Sequence, residues 1–151
     1  MQENEANSLL QDFIEKCQMH NLKVTPQRMA IYREIVDSTE HPTVDTMFQN
    51  VKKEFPNISY DTVSRTMLTF AEIGIVDLVE VYGGAKRFDP NVATHHHLHC
   101  VSCSNIYDFR NDEYNNLEIP DHVRQGFTVL TSRVVLKGLC DKCSNPGNVS
   151  P

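Results

Sequence analysis

Apolar residues recur at helical spacing four times in the first half of the chain, after which the period shortens to that of a strand. Leu9, Leu10, Phe13, Ile14 and Cys17 form the first stripe and predict a helix from an Asn7 or Ser8 cap to about His20. Cys17 sits on that stripe and reads as core filler, because a buried cysteine behaves as a small hydrophobe. Thr25 and Pro26 open a second helix, the hydroxyl capping and the proline taking the first position, where its missing N–H costs nothing. Met29, Ile31, Tyr32, Ile35 and Val36 carry it to about Asp37. A third helix starts from Thr43, sets Val44, Met47, Phe48, Val51 and Phe55 on one face, and stops at Pro56. Ser59 caps a fourth, whose Val63, Thr66, Met67 and Phe70 point inward until Gly74 ends it.

Beyond Gly74 the residues from Ile75 to Val81 are β-rich, Gly83-Gly84 is a turn pair, and Ala85 to Phe88 returns as a second strand. Short helices followed by a two-stranded hairpin describe a winged-helix domain, predicted over residues 1–90. The helix beginning at Ser59 would enter a major groove with Tyr60, Asp61, Ser64, Arg65 and Leu68 outward. Arg65 is then the candidate for a guanine or phosphate contact, and Lys86 and Arg87 in the wing for backbone phosphates. The competing reading is a solvated helix face with ordinary surface charges.

Asp89-Pro90-Asn91 begins a hinge at about 89–94, and a second domain is predicted over 95–151. In it a polar segment runs from Asn111 to Asn116, and a short helix from about Pro120 to Gln125. Phe127 to Leu130 and Arg133 to Leu136 read as one long strand with a polar interruption. From Ser144 to Pro151 the apolar content is low, and the tail is expected to be loose. The fold class is α+β: an N-terminal winged helix, then a small α/β domain with a three-stranded sheet.

The stretch from His95 to Asp108 changes the picture, because it holds four histidines, two cysteines and a carboxylate in fourteen residues. Cys100-x-x-Cys103 and Cys140-x-x-Cys143 each close a predicted strand. Two such thiolate knuckles satisfy Zn²⁺ completely and leave no open position, as in a structural site, one per chain. His95 and His97 alternate onto one strand face and His96 onto the other, while Asp108 ends the next strand and Asp89 sits at the hinge. Two imidazoles and one or two carboxylates suit Fe²⁺ or Mn²⁺; by alternation His99 could join them, and surface histidines are the other reading.

Charge argues the other way. The net charge is −6, with 9 Lys+Arg against 14 Asp+Glu in residues 1–90 and 5 against 6 in residues 91–151. Neither half is basic, so attachment to DNA has to come from local placement, helped by bound cations that offset carboxylates. No run of eighteen apolar residues and no signal pattern is present, and five cysteines, four of them in two pairs, suit zinc thiolates in a reducing compartment. The expected location is the cytoplasm, with no membrane partner.

Thr25-Pro26-Gln27-Arg28, His41-Pro42-Thr43, Ser59-x-x-Thr62-Val63, Gly74-x-Val76, Arg87-Phe88-Asp89, His95-x-His97-x-x-Cys100-x-x-Cys103, Ile106-Tyr107-Asp108-Phe109 and Cys140-x-x-Cys143 follow one another in an order that resembles the ferric uptake regulator superfamily. That resemblance implies a homodimeric, metal-dependent repressor of a palindromic double-stranded DNA operator, with the second domain serving dimerisation. It also implies a five-ligand regulatory site of His41, Asp89, His95, His97 and Asp108. His41 is nominated by the resemblance alone. Aspartate at both 89 and 108 is similar to the peroxide-sensing branch, in which iron-catalysed oxidation modifies a ligand histidine; the matching positions are His41 and His95. Iron sensing, and then zinc or manganese uptake regulation, are the alternatives within the family. Two positions depart from its pattern. Ser64 replaces a usual tyrosine, for which Tyr60 could substitute, and Ser132 and Asn115 stand where a histidine and an acidic ligand of a further metal site are usual, so that site is expected to be absent. Outside the family the rivals are a non-haem metal enzyme, which would leave the helical half without a role, and a thiol-redox switch.

Overall fold

The computed structural model describes residues 2–38, 40–79 and 85–145, and it divides into two compact units, Met1–Val92 and Ala93–Pro151. The first unit runs α1 (Gln2–Met19), α2 (Pro26–Asp37), α3 (Val44–Glu54), α4 (Tyr60–Glu72), β1 (Asp77–Val79) and β2 (Arg87–Asp89). The caps are chemical. Thr25, Thr43 and Ser59 each accept a backbone N–H, from Arg28 at 3.3 Å, Thr46 at 3.2 Å and Ser59's partner Thr62 at 3.0 Å. Helix α4 ends in a Schellman turn: Gly74 takes φ +79°, its N–H bonds Ala71 at 3.3 Å, and Ile75 N–H reaches back to Phe70 at 2.9 Å. Lys16 covers the end by donating to the Gly74 carbonyl at 3.0 Å.

Three of the four apolar stripes meet around Phe70, which is fully buried and lies edge-on to Phe13 at 5.5 Å and to Tyr32 at 6.5 Å, with Phe13 and Tyr32 stacked at 4.2 Å. Ile31, Ile35, Met47, Val51, Ile58, Val63, Met67, Ile75, Val76 and Phe88 surround them in this core. Cys17 is also part of it, and burial pushes its thiol pKa up. Such packing fixes the pose of α4 and the β1–β2 pair, an antiparallel ladder with Leu78 opposite Phe88.

Some expectations need correction. Helix α1 begins at Gln2, five or six residues before the expected Asn7 or Ser8 cap, because Glu5 and Ala6 are good helix formers and Asn7 and Ser8 are tolerated at exposed interior positions. The return strand is Arg87–Asp89, two residues later than its predicted start at Ala85. Residues 80–84, including the Gly83-Gly84 turn, lie outside the described residues, as do residues 146–151 of the tail. Leu68, expected to face outward, packs half-buried against the edge of the core.

The second unit holds β3 (His96–Cys100), β4 (Ile106–Phe109), α5 (Asp112–Asn115), α6 (Asp121–Arg124), β5 (Val135–Gly138) and α7 (Asp141–Ser144). Its sheet has the order β4-β3-β5, with β4 antiparallel and β5 parallel to β3. The long strand predicted from Phe127 to Leu136 is reduced to Val135–Gly138. β-Rich composition makes a strand only where a neighbour supplies ladder bonds, and β3 offers that edge to residues 135–138. Phe127 and Leu130, 68% and 88% exposed, stay outside the sheet.

Candidate metal sites and nucleic-acid face

Cys100 ends β3, the tight turn after it carries Cys103, Cys140 stands at the N-cap of α7 and Cys143 lies within that helix, so that the strand ends bring both pairs together. The turn closes through Ser104 at φ 64°, with Cys100 N–H on Asn105 at 2.9 Å and Ser104 N–H on Cys100 at 2.9 Å. The four sulfurs lie within 4.8 Å of one another, and Cys103 and Cys140 are 3.9 Å apart. A Zn–S bond of about 2.3 Å puts tetrahedral sulfurs about 3.8 Å apart, so the cluster fits a four-thiolate ion. Its acidity is split. Backbone N–H groups of Cys103 and then Cys140 lower Cys100 to about 6. Cys143 is pushed up to about 12: the Ser102 hydroxyl pulls it down, but hydrogen bonding to Cys140, burial and the other sulfurs outweigh that. One sulfur carries charge and another holds a proton, the arrangement a cation replaces by displacing protons.

The histidine and carboxylate candidates fall into two groups, one in each unit. In the first unit His41, just ahead of α3, meets Asp89 at the end of β2 with Nε2 to Oδ2 at 3.1 Å. Asp89 is 3% exposed, and its other oxygen accepts the Asn91 N–H at 2.8 Å. In the second unit His95 and His97 are buried with rings 4.6 Å apart, and both turn Nε2 toward Asp108 Oδ1, at 3.7 and 3.3 Å. Asp108 sits opposite His97 across the β3–β4 ladder. The Ala93 carbonyl contacts His95 Nδ1, which leaves Nε2 as that ring's lone-pair nitrogen. Both groups hold imidazole close to carboxylate, with Asp89, His95 and His97 buried, His41 half-buried and Asp108 exposed, a donor set that fits a harder divalent cation than four sulfurs would.

His96 does something else, and its sequence showed only that it faces away. It is fully buried on the opposite face of β3, with Phe109 at 5.6 Å and Tyr114 at 5.7 Å. Val134 N–H donates to Nδ1 at 3.0 Å, so the proton sits on Nε2, which donates to Asn115 Oδ1 at 2.7 Å. Ser132 Oγ donates to the Tyr114 carbonyl at 2.9 Å. Asn115 and Ser132 are here parts of a hydrogen-bonded clasp between the sheet and α5.

On α4, Tyr60 and Arg65 are exposed and Ser64 is half-buried. Tyr60 packs edge-on to Phe48 at 5.6 Å, and Arg65 pairs with Asp61 at 2.9 Å. Lys86 is exposed beside the strand, whereas Arg87 turns its guanidinium to the His41 carbonyl at 3.1 Å.

The sequence pattern of the Ferric uptake regulator family matches residues 19–137. The chain belongs to the ferric uptake regulator family. It is 34% identical over 140 residues to the peroxide-responsive repressor PerR of Staphylococcus epidermidis, covering 92% of this chain and 93% of that one. The solved Campylobacter jejuni peroxide stress regulator superposes with a TM-score of 0.64 at 29% identity, covering 86% of this chain and 98% of that chain. The Helicobacter pylori ferric uptake regulator Fur reaches a TM-score of 0.72 at 17% identity over 91% and 92% of the two chains, a likeness of fold. Fur-family architecture is a winged helix followed by a dimerisation domain, and the three-stranded sheet of this chain belongs to the latter. Members are dimeric, DNA-binding, metal-responsive repressors, so this Fur-family chain is a transcriptional regulator rather than an enzyme. Among the described residues no helix is long and apolar enough to cross a membrane.

Proposed function

We propose that the chain is a cytoplasmic homodimeric repressor that binds a palindromic DNA operator when loaded with Fe²⁺ or Mn²⁺, and releases it when hydrogen peroxide oxidises His41 or His95. The observation that carries this reading is the pair of imidazole–carboxylate groups, His41 with Asp89 and His95 with His97 and Asp108, in which Asp89, His95 and His97 are buried. Each alone is a partial ligand set. In our proposal His41, Asp89, His95, His97 and Asp108 together hold one regulatory ion, and zinc fills the four-cysteine site.

Ligands drawn from two units give the ion a differential free energy for the arrangement that satisfies all of them, and linkage then favours the DNA-competent dimer. Ferrous iron, when bound, supplies the electrons that cleave peroxide next to the ligand rings. The protein's part is to hold the imidazoles of His41 and His95 there, with aspartates at 89 and 108 compensating the ion's charge. Similarity to two peroxide regulators supports this branch. Exposed Val123, Phe127, Leu130 and Leu136 on the second unit offer apolar surface for a second copy. On the DNA side the proposed contacts are Tyr60, Ser64, Arg65 and Lys86; Arg87, expected in the wing as a phosphate contact, turns its guanidinium to the His41 carbonyl.

The test uses a duplex selected from a random pool by the Mn²⁺-loaded protein. Binding is measured with Fe²⁺ and with Mn²⁺, before and after dilute peroxide, with mass spectrometry of the protein. The iron form should lose the duplex as a peptide containing His41 or His95 gains one oxygen, while the manganese form keeps it. Unchanged binding by the iron form, with no oxygen gained, removes the peroxide reading and leaves iron sensing in its place.

A further inference from the structure

The segment that carries His41 is stitched to β2 residue by residue. Arg87 Nη1 donates to the His41 carbonyl at 3.1 Å, Phe88 N–H donates to the Pro42 carbonyl at 3.0 Å, and Thr43 forms an antiparallel bridge with Arg87. Two residues beyond Arg87, Asp89 meets the His41 ring at 3.1 Å. Thr43, the last stitched residue, is also the N-cap of α3, accepting Thr46 N–H at 3.2 Å. One short strand therefore holds both the backbone and the side chain of His41 and adjoins the first turn of a helix that packs on α4.

A guanidinium so placed is a directional donor. Without it the His41 carbonyl would lose its charge-assisted partner, and the ring would be held by its side-chain contacts with less restraint from the backbone. We propose that Arg87 is a positioning residue for the metal ligand His41, and that it serves DNA binding through this contact instead of through a phosphate. The proposal rests on the reading of His41 as a ligand.

Three variants separate the possibilities: Arg87→Met keeps the stem and removes the donors, Arg87→Lys keeps the charge and can still donate to a carbonyl, and His41→Ala tests the reading beneath. Mn²⁺ affinity is measured by calorimetry without DNA, and duplex affinity at saturating Mn²⁺ is measured as a function of salt. Arg87→Met should lose about 10- to 100-fold in Mn²⁺ affinity, the usual cost of removing a ligand's hydrogen-bond partner. Arg87→Lys should recover part of it, and with Mn²⁺ saturating both variants should keep the parent's salt slope. In the metal-free protein, amide exchange at Phe88 should quicken in Arg87→Met, a readout that does not depend on bound metal or on DNA. Parental Mn²⁺ affinity in Arg87→Met, with a salt slope reduced by about one, would mark a phosphate contact and overturn the proposal. Parental Mn²⁺ affinity with an unchanged slope overturns it as well. If His41→Ala itself binds Mn²⁺ normally, the ligand reading fails first; if His41→Ala weakens binding and Arg87→Met does not, only the positioning role fails.

Discussion

Removing the ion from the four-cysteine site should unfold the second unit and leave the first intact. The difference in cores sets the expectation. Fourteen buried side chains from Phe13 to Phe88 form one apolar cluster in the first unit. In the second, the buried side chains among the described residues are His95, His96, His97 and Cys100. A unit of that length buries too little apolar surface to be stable alone. A structural zinc contributes roughly 10–16 kcal/mol of apparent binding free energy at neutral pH, whereas a whole domain has a net stability of about 5–15 kcal/mol. Losing the ion therefore exceeds what three buried histidines and a short sheet supply. Cys143→Ser, or a strong chelator on the parent, should be followed by hydrogen exchange. The Cys100 and Val101 amides, bonded to Asn105 and Gly138 at 2.9 Å each, should lose protection, while amides of α2 and α4 keep theirs. Persistent protection of those two amides in metal-free protein would refute the reasoning.

The same site should show a bend in its pH dependence. Each thiol proton that the metal displaces makes affinity rise about tenfold per pH unit. Above about 6 Cys100 is already ionised, whereas Cys143 at about 12 still surrenders a proton, so affinity falls with acid and falls more steeply once Cys100 is protonated below about 6. A competition titration with a zinc chelator from pH 5 to 8 reads the slope directly, taking about 5 to 8 as the working range of such an assay. Phe70→Ala should cost the first unit about 3–5 kcal/mol in urea unfolding, since its ring is fully buried between Phe13 and Tyr32. Cys17, buried and with its pKa raised, should resist a thiol reagent that modifies the metal-free Cys103, and Cys17→Ala should keep the parent's metal content.

Much of this protein is written locally. A capping hydroxyl, a proline at the first helical position and a stripe of apolar residues each act within one or two turns, which is why Thr25, Thr43 and Ser59 predicted their helices and Gly74 its stop. The cysteine pairs were legible for a chemical reason, because two thiol pairs at that spacing have few other uses. Alternation along β3 separated His96 from its neighbours. Partners distant in sequence were not legible. Nothing in the chain alone says that Asp89 meets His41 across 48 positions, that Arg87 turns inward to the His41 carbonyl, or that His96 is clasped by Val134 and Asn115. The strand expected over 127–136 shrinks to Val135–Gly138 for the same reason. Periodicity reports what one segment can do, whereas a ladder, a hydrogen bond between side chains and a ligand set each need a second segment, and only the folded chain decides which one arrives.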